Sequence, residues 1–97
     1  MSNYFIRQSA KEDLQEIWLY TITNWDSEQA DSYISALFKR FSWLAENPTL
    51  GKIRTDIGEN YYCFPEGIHS IFYVITENAI EIIAILHQRM DVLKHFD

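Results

Sequence analysis

The sequence predicts an α+β fold in which an N-terminal strand and an antiparallel helical hairpin pack on a small antiparallel sheet, in the order β-α-α-β-β-β. Three observations carry this. Apolar residues recur every three or four positions through residues 14–45, and they alternate every second position after residue 60. Between the two regimes lie Asn47-Pro48 and a polar, glycine-containing stretch.

Residues 3–8 read as a short opening strand with Tyr4 and Ile6 on one face. Ser9-Ala10-Lys11-Glu12 has the spacing of a capping box, in which a hydroxyl and a carboxylate satisfy the free N–H groups that start a helix. The helix after it sets Leu14, Ile17, Trp18, Ile22 and Trp25 on one stripe. A second helix starts at Asp26 or Ser27, with Gln29 placed to complete another box. Its stripe runs through Ala30, Tyr33, Ile34, Leu37, Phe38, Phe41, Leu44 and Ala45. The link between the helices is a few residues, so they form a hairpin.

Asn47-Pro48 ends the second helix, because the residue before proline disfavours the helical region. Residues 49–60, TLGKIRTDIGEN, form the longest irregular segment. Strands follow over 61–65, 69–76 and 79–86, joined by turns at Glu66-Gly67 and Glu77-Asn78. In the last strand Ile80, Ile82, Ala84 and Leu86 alternate with Glu81, Ile83, Ile85 and His87. It is apolar on nearly both faces, which places it inside the sheet.

The 97 residues suit one domain spanning 1–97, and an apolar share of 47% suffices for a real core. The net charge is −6, with four basic and seven acidic side chains in each half (residues 1–50 and 51–97). Phosphate binding needs clustered Lys and Arg, so no direct nucleic-acid partner is expected. No stretch matches a signal peptide or a membrane helix, and Cys63 is the only cysteine. A cytoplasmic protein without membrane contact or disulfide is expected.

Among chemical candidates, His87, Arg89 and Asp91 are the sharpest cluster. Acid–base work at His87 with charge stabilisation at Arg89 is one reading. A strand end whose polar residues bond to nearby loops is the simpler one. Lys52 and Arg54 flank Gly51 near Asp56 and Glu59, as a mixed-charge loop would. His69 and His95 lack a second ligand at metal spacing, so neither a metal nor another cofactor is expected. Trp18, Trp25 and Trp43, with Phe38 and Phe41, exceed what a hairpin on one sheet face encloses. Part of that aromatic surface is therefore a candidate for a partner helix.

Four segments together carry a family resemblance: Ser9-Ala10-x-x-Asp13-Leu14-x-x-Ile17-Trp18, Leu44-Ala45-x-Asn47-Pro48-x-x-Gly51-Lys52, Phe64-Pro65-x-Gly67-x-His69-x-Ile71-Phe72-Tyr73 and Ile85-Leu86-His87-x-x-Met90-Asp91. In this order and spacing the chain resembles the ParE toxins of the ParE/RelE superfamily of type II toxin–antitoxin systems. The resemblance implies a non-catalytic toxin that poisons DNA gyrase, blocks replication and is neutralised by a ParD-like antitoxin. Lys52, Arg54, His87 and Arg89 are then candidates for target binding, and Trp18, Trp25, Phe38 and Trp43 for antitoxin binding.

The RelE branch, which cuts mRNA on the ribosome with basic residues and an acid–base group, is the alternative. The match to it fails: Tyr61-Tyr62-Cys63-Phe64 contains no arginine, Gln88 separates His87 from Arg89, and no tyrosine follows Met90. A third possibility is a homologue that has lost toxicity and acts as an antitoxin-binding regulator.

Overall fold

Residues 3–96 are described by the computed structural model. Strand β1 (Asn3–Ile6) leads into helices α1 (Gln8–Asn24) and α2 (Ser27–Glu46). A 3₁₀ turn at Pro48–Leu50 precedes the two-residue strand β2 (Lys52–Ile53). Strands β3 (Tyr61–Glu66), β4 (His69–Ile75) and β5 (Ala79–His87) follow, and a short helix α3 (Val92–His95) closes the described chain. The sheet order is β1-β5-β4-β3-β2. All neighbours are antiparallel except β1, which lies parallel to β5. The α+β class, the helical hairpin and three long strands agree with the sequence. Strand β2, inside the segment read as irregular, adds a short edge. Two residues give no alternation to detect.

The hairpin covers one face of the sheet. Leu14 and Ile17 of α1 and Leu37, Phe41 and Leu44 of α2 pack on Ile71, Tyr73, Ile80, Ile82 and Ile85. Full burial of side chains of this size contributes roughly 2 kcal/mol each. Tyr4 and Ile6 join this core, while Phe5, between them, points away and is exposed. A smaller cluster on the opposite face joins Phe72, Ala84 and Leu86 to Ile57, Val92 and Phe96.

Three local expectations are corrected. First, β5 does not alternate uninterruptedly. The register with β4 shifts near Phe72/Tyr73, where Phe72 pairs with Ala84 but Tyr73 pairs with Ile82. The extra residue, Ile83, reverses the parity beyond it. Ile85 therefore joins Ile80 and Ile82 under the helices, while Ala84 and Leu86 face the other side.

Second, Ser9 does not cap α1. The helix begins at Gln8, with Arg7 as its cap residue and no side-chain capping bond. The Ser9 hydroxyl instead donates to the carbonyl of Ile83 at 2.8 Å. One turn on, Asp13 Oδ2 accepts the amide of Ile85 at 3.0 Å. Strand β1 pairs with β5 only as far as Ile82, and beyond it polar side chains of α1 take over the open strand edge. Sheet edges need such cover, because unpaired backbone groups are costly.

Third, Trp25 does not extend the α1 stripe inward. The helix stops at Asn24, and Trp25 has non-helical φ/ψ of −127° and −102°. The break in periodicity leaves it 69% exposed. The second helix does start as expected, with Asp26 Oδ1 accepting the Gln29 amide at 2.7 Å. No helix among the described residues is long and apolar enough to cross a membrane.

Candidate functional site

Where β4 and β5 reach their ends under the hairpin, the two helices do not close over the sheet. A groove of about 810 Å³ opens there. Ile17, Tyr20 and Thr21 of α1, with Trp25 just past its end, form one wall, and Gln29, Ser32, Tyr33 and Ala36 of α2 form the other. Ile68, His69, Ile85 and His87 lie at the sheet end, with Met90 and His95 from the tail. Tyr20, Trp25, Ile68 and Met90 are all exposed. A cluster of large apolar side chains around one groove is the ordinary mark of a binding surface.

Tyr33 holds the far end of this groove. Its hydroxyl sits 2.7 Å from His69 Nδ1 and 3.2 Å from the Glu66 carbonyl, and it accepts the Ile68 amide at 3.1 Å. The turn beneath it contains Gly67 at φ +59°, where a Cβ would come within 2.6 Å of the tyrosine ring. Glycine is needed there for both conformation and space. Strand β3 runs through Glu66, so the turn is one residue later than the sequence suggests.

His69 pairs across the strands with His87, and their rings meet edge to face at 5.6 Å. Burial, then the neighbouring His87, lowers the His69 pKa to about 4, so this ring is neutral at pH 7. Burial raises the Tyr33 hydroxyl above its usual value. Asp13, on the same wall, is likewise raised, mainly by burial, with the Ile85 amide and His95 opposing.

The four residues singled out for target binding are not brought together. Lys52 lies exposed on β2 at the far edge of the sheet. Arg54 follows it and makes a two-point pair with Asp56, Nε to Oδ1 at 2.9 Å and Nη2 to Oδ2 at 2.8 Å. Its guanidinium lies 5.7 Å from the centre of the Phe72 ring, on the face opposite the helices. That ion pair lowers the Asp56 pKa. His87 instead lies at the groove, and its Nδ1 accepts the backbone amide of Arg89 at 3.1 Å. Arg89 is exposed in the turn after β5.

Of the aromatic candidates, only Trp25 lines the groove. Trp18 is half-buried and its Nε1 donates to Asp31 at 3.4 Å, a link between the helices. Phe38 packs edge to face on Phe41. Trp43 meets Phe64 at a tilt, ring centres 5.2 Å apart, under the Arg40 guanidinium, which also pairs with Glu66. Tyr20, Tyr33 and Ile68 went unnoticed as groove residues. The steps Asp13, Ile17, Tyr20 and Thr21 place a second, partly polar stripe beside the apolar one. That stripe is the sequence signal for the groove.

A helical hairpin on this sheet, with an open and largely apolar groove, defines a small α+β domain built to bind another molecule. The chain belongs to the ParE toxin family of type II toxin–antitoxin systems, parDE, whose profile matches residues 4–92. It is 36% identical over 92 residues to Toxin ParE1 of Mycobacterium tuberculosis strain H37Rv, covering 94% of each chain. It is also 34% identical over 95 residues to Toxin ParE1 of Caulobacter vibrioides, covering 98% of each.

Among solved structures, it resembles a chain of the chromosomal ParDE system from P. aeruginosa, with a TM-score of 0.75 and 16% identity over 90% of this chain and 96% of that one. A chain of the toxin–antitoxin complex RelBE2 from Mycobacterium tuberculosis aligns with a TM-score of 0.63 and 16% identity, over 89% of this chain and 96% of that one. At that identity the likeness is one of fold.

Proposed function

We propose that this protein is the toxin of a toxin–antitoxin pair, that it arrests replication by binding DNA gyrase without catalysing a reaction, and that a ParD-like antitoxin neutralises it by seating in the groove. Family membership supports the toxin role. The observation that carries the seat is the groove itself, with Tyr20 and Trp25 exposed at 65% and 69% beside it. The two solved structures compared above come from toxin–antitoxin systems, which supports an antitoxin as the occupant.

The non-catalytic reading draws support from geometry. RNA cleavage needs cations around a phosphate and a positioned acid or base. Here Arg54 is engaged by Asp56 on one face, while His87 lies on the other. A RelE-type ribonuclease is the second reading, and the His69–His87 pair is the observation that favours it. Among the described residues, no Lys or Arg lines the groove beside that pair.

Expression without antitoxin tests the proposal. Arrest of DNA synthesis before protein synthesis, with gyrase supercoiling inhibited by purified toxin, is the expected result. Rapid mRNA cleavage in a translating extract, with supercoiling untouched, would establish the ribonuclease. A chain that binds antitoxin but leaves growth unchanged would instead be a regulator.

A further inference from the structure

The tail after β5 touches both faces of the sheet. Met90 and His95 lie at the groove, while Val92 and Phe96 pack on the face opposite the helices, against Phe72, Ala84 and Leu86. On the groove side, His95 faces Asp13 of α1 and offsets part of the effect of burial on its carboxyl. On the other side, the Phe96 ring meets Phe72 at 5.6 Å and Tyr61 at 5.9 Å, both edge to face. Arg54 lies against the same Phe72 ring. Lys52 pairs in register with Cys63 of that cluster, so it stands on the same face. Among the described residues, the backbone of residues 91–96 bonds only within the tail. The His95 amide donates to the Asp91 carbonyl, the Phe96 amide to that of Val92, and the Lys94 amide to the Asp91 carboxylate. A segment that side chains alone hold to the sheet opens at a lower free energy than the whole domain.

We propose that residues 90–96 are a strap that couples the two faces. An occupant of the groove that holds Met90 and His95 pins Phe96 onto Phe72. An empty groove lets the strap lift and uncover Phe72 beside Arg54. This rests on the reading of the groove as the antitoxin's seat, and it specifies how an occupant on one face acts on Lys52 and Arg54 on the other. The strap is a two-state element, and an occupant that touches it only when seated favours the seated form by its differential affinity. Such coupling is reciprocal, so a strap that cannot seat weakens the occupant in turn.

Cys63, half-buried in the Phe72 cluster and the only cysteine of the chain, reports on the strap. Its reaction with an aromatic disulfide reagent is followed in the free toxin and in the toxin–antitoxin complex. In the free toxin the rate should be insensitive to low urea, because lifting a short strap exposes little surface, whereas global unfolding would make it rise steeply. The antitoxin should slow the reaction about ten-fold. Phe96→Ala should speed it about as much, with the circular dichroism of a folded toxin. Phe96→Leu, which keeps an apolar contact, should fall between.

In Phe96→Ala the antitoxin should no longer slow the thiol, and its affinity should fall about ten-fold. An antitoxin that slows the thiol equally in wild type, Phe96→Leu and Phe96→Ala would be covering Cys63 itself. A wild-type rate that the antitoxin leaves unchanged would mean that the faces are uncoupled. Either result overturns the strap and leaves the groove standing as the seat. The seat is judged apart from the thiol: antitoxin affinity unchanged in Trp25→Ala would overturn it, and the coupling with it.

Discussion

At His69, burial and the neighbouring His87 lower the pKa to about 4. A histidine kept neutral by burial binds fewer protons folded than unfolded. Its contribution to stability is therefore intact at neutral pH, lost as pH falls through about 6.5, and fully gone near pH 4. His69 keeps partial contact with solvent, so after discounting for screening the loss is on the order of 1 kcal/mol. Asp13 acts in the opposite sense, because its raised pKa means that acidification relieves a half-buried charge. Denaturant unfolding at pH 7 and pH 4.5 should show the wild type losing stability on acidification. In His69→Gln that loss should be visibly smaller. An unchanged pH dependence in the variant would show that the destabilisation comes from other groups.

The elements show how polar side chains complete a sheet that its strands leave unfinished. Because β1 is short, Ser9 and Asp13 of α1 serve the carbonyl of Ile83 and the amide of Ile85. Ser9→Ala should cost about 1 kcal/mol, the usual net value of one such bond, and lower Tm by roughly 5 °C. Thermal unfolding of the variant checks it, and a Tm within a degree of wild type would mean that water replaces the hydroxyl. Trp25→Ala should do the reverse, leaving Tm nearly unchanged while weakening antitoxin binding at least ten-fold, as loss of an exposed aromatic anchor does. These same residues mark what the sequence reveals. Long stripes such as Leu37, Phe41 and Leu44 and the β5 run announced the hairpin and the inner strand, because periodicity reports burial directly. Ser9 matched a capping pattern equally well, and only the bulge at Ile83 made its carbonyl the better partner. Trp25 fell on the apolar stripe by spacing, and the end of α1 one residue earlier turned it outward. The stripe of Asp13, Ile17, Tyr20 and Thr21 marks one wall of the groove in the sequence, but the groove as a whole arises from tertiary placement of residues 72 positions apart, such as Asp13 and Ile85.

At the scale of the whole molecule, the groove, on the helix face, and the Arg54–Phe72 cluster lie on opposite faces of the sheet. Lys52, Arg54, His87 and Arg89 therefore do not form one centre, and a surface spread over them responds differently from a catalytic site. In a spread surface, each alanine substitution lowers toxicity in part, and Arg89→Ala costs more than His87→Ala, since arginine is the commoner interface anchor. In an acid–base site, His87→Ala alone removes activity. The dispersed geometry leads to the graded outcome. Antitoxin binding should be nearly indifferent to Lys52→Ala and Arg54→Ala, because both residues lie away from the groove. It should also weaken only modestly with added salt, because most of its affinity comes from apolar burial. Titrating growth arrest against expression level for the four single variants, alongside antitoxin affinity at low and moderate salt, measures both at once. An all-or-none loss of toxicity at His87, in a folded variant that still binds antitoxin, would reject the spread surface and place chemistry at the end of β5.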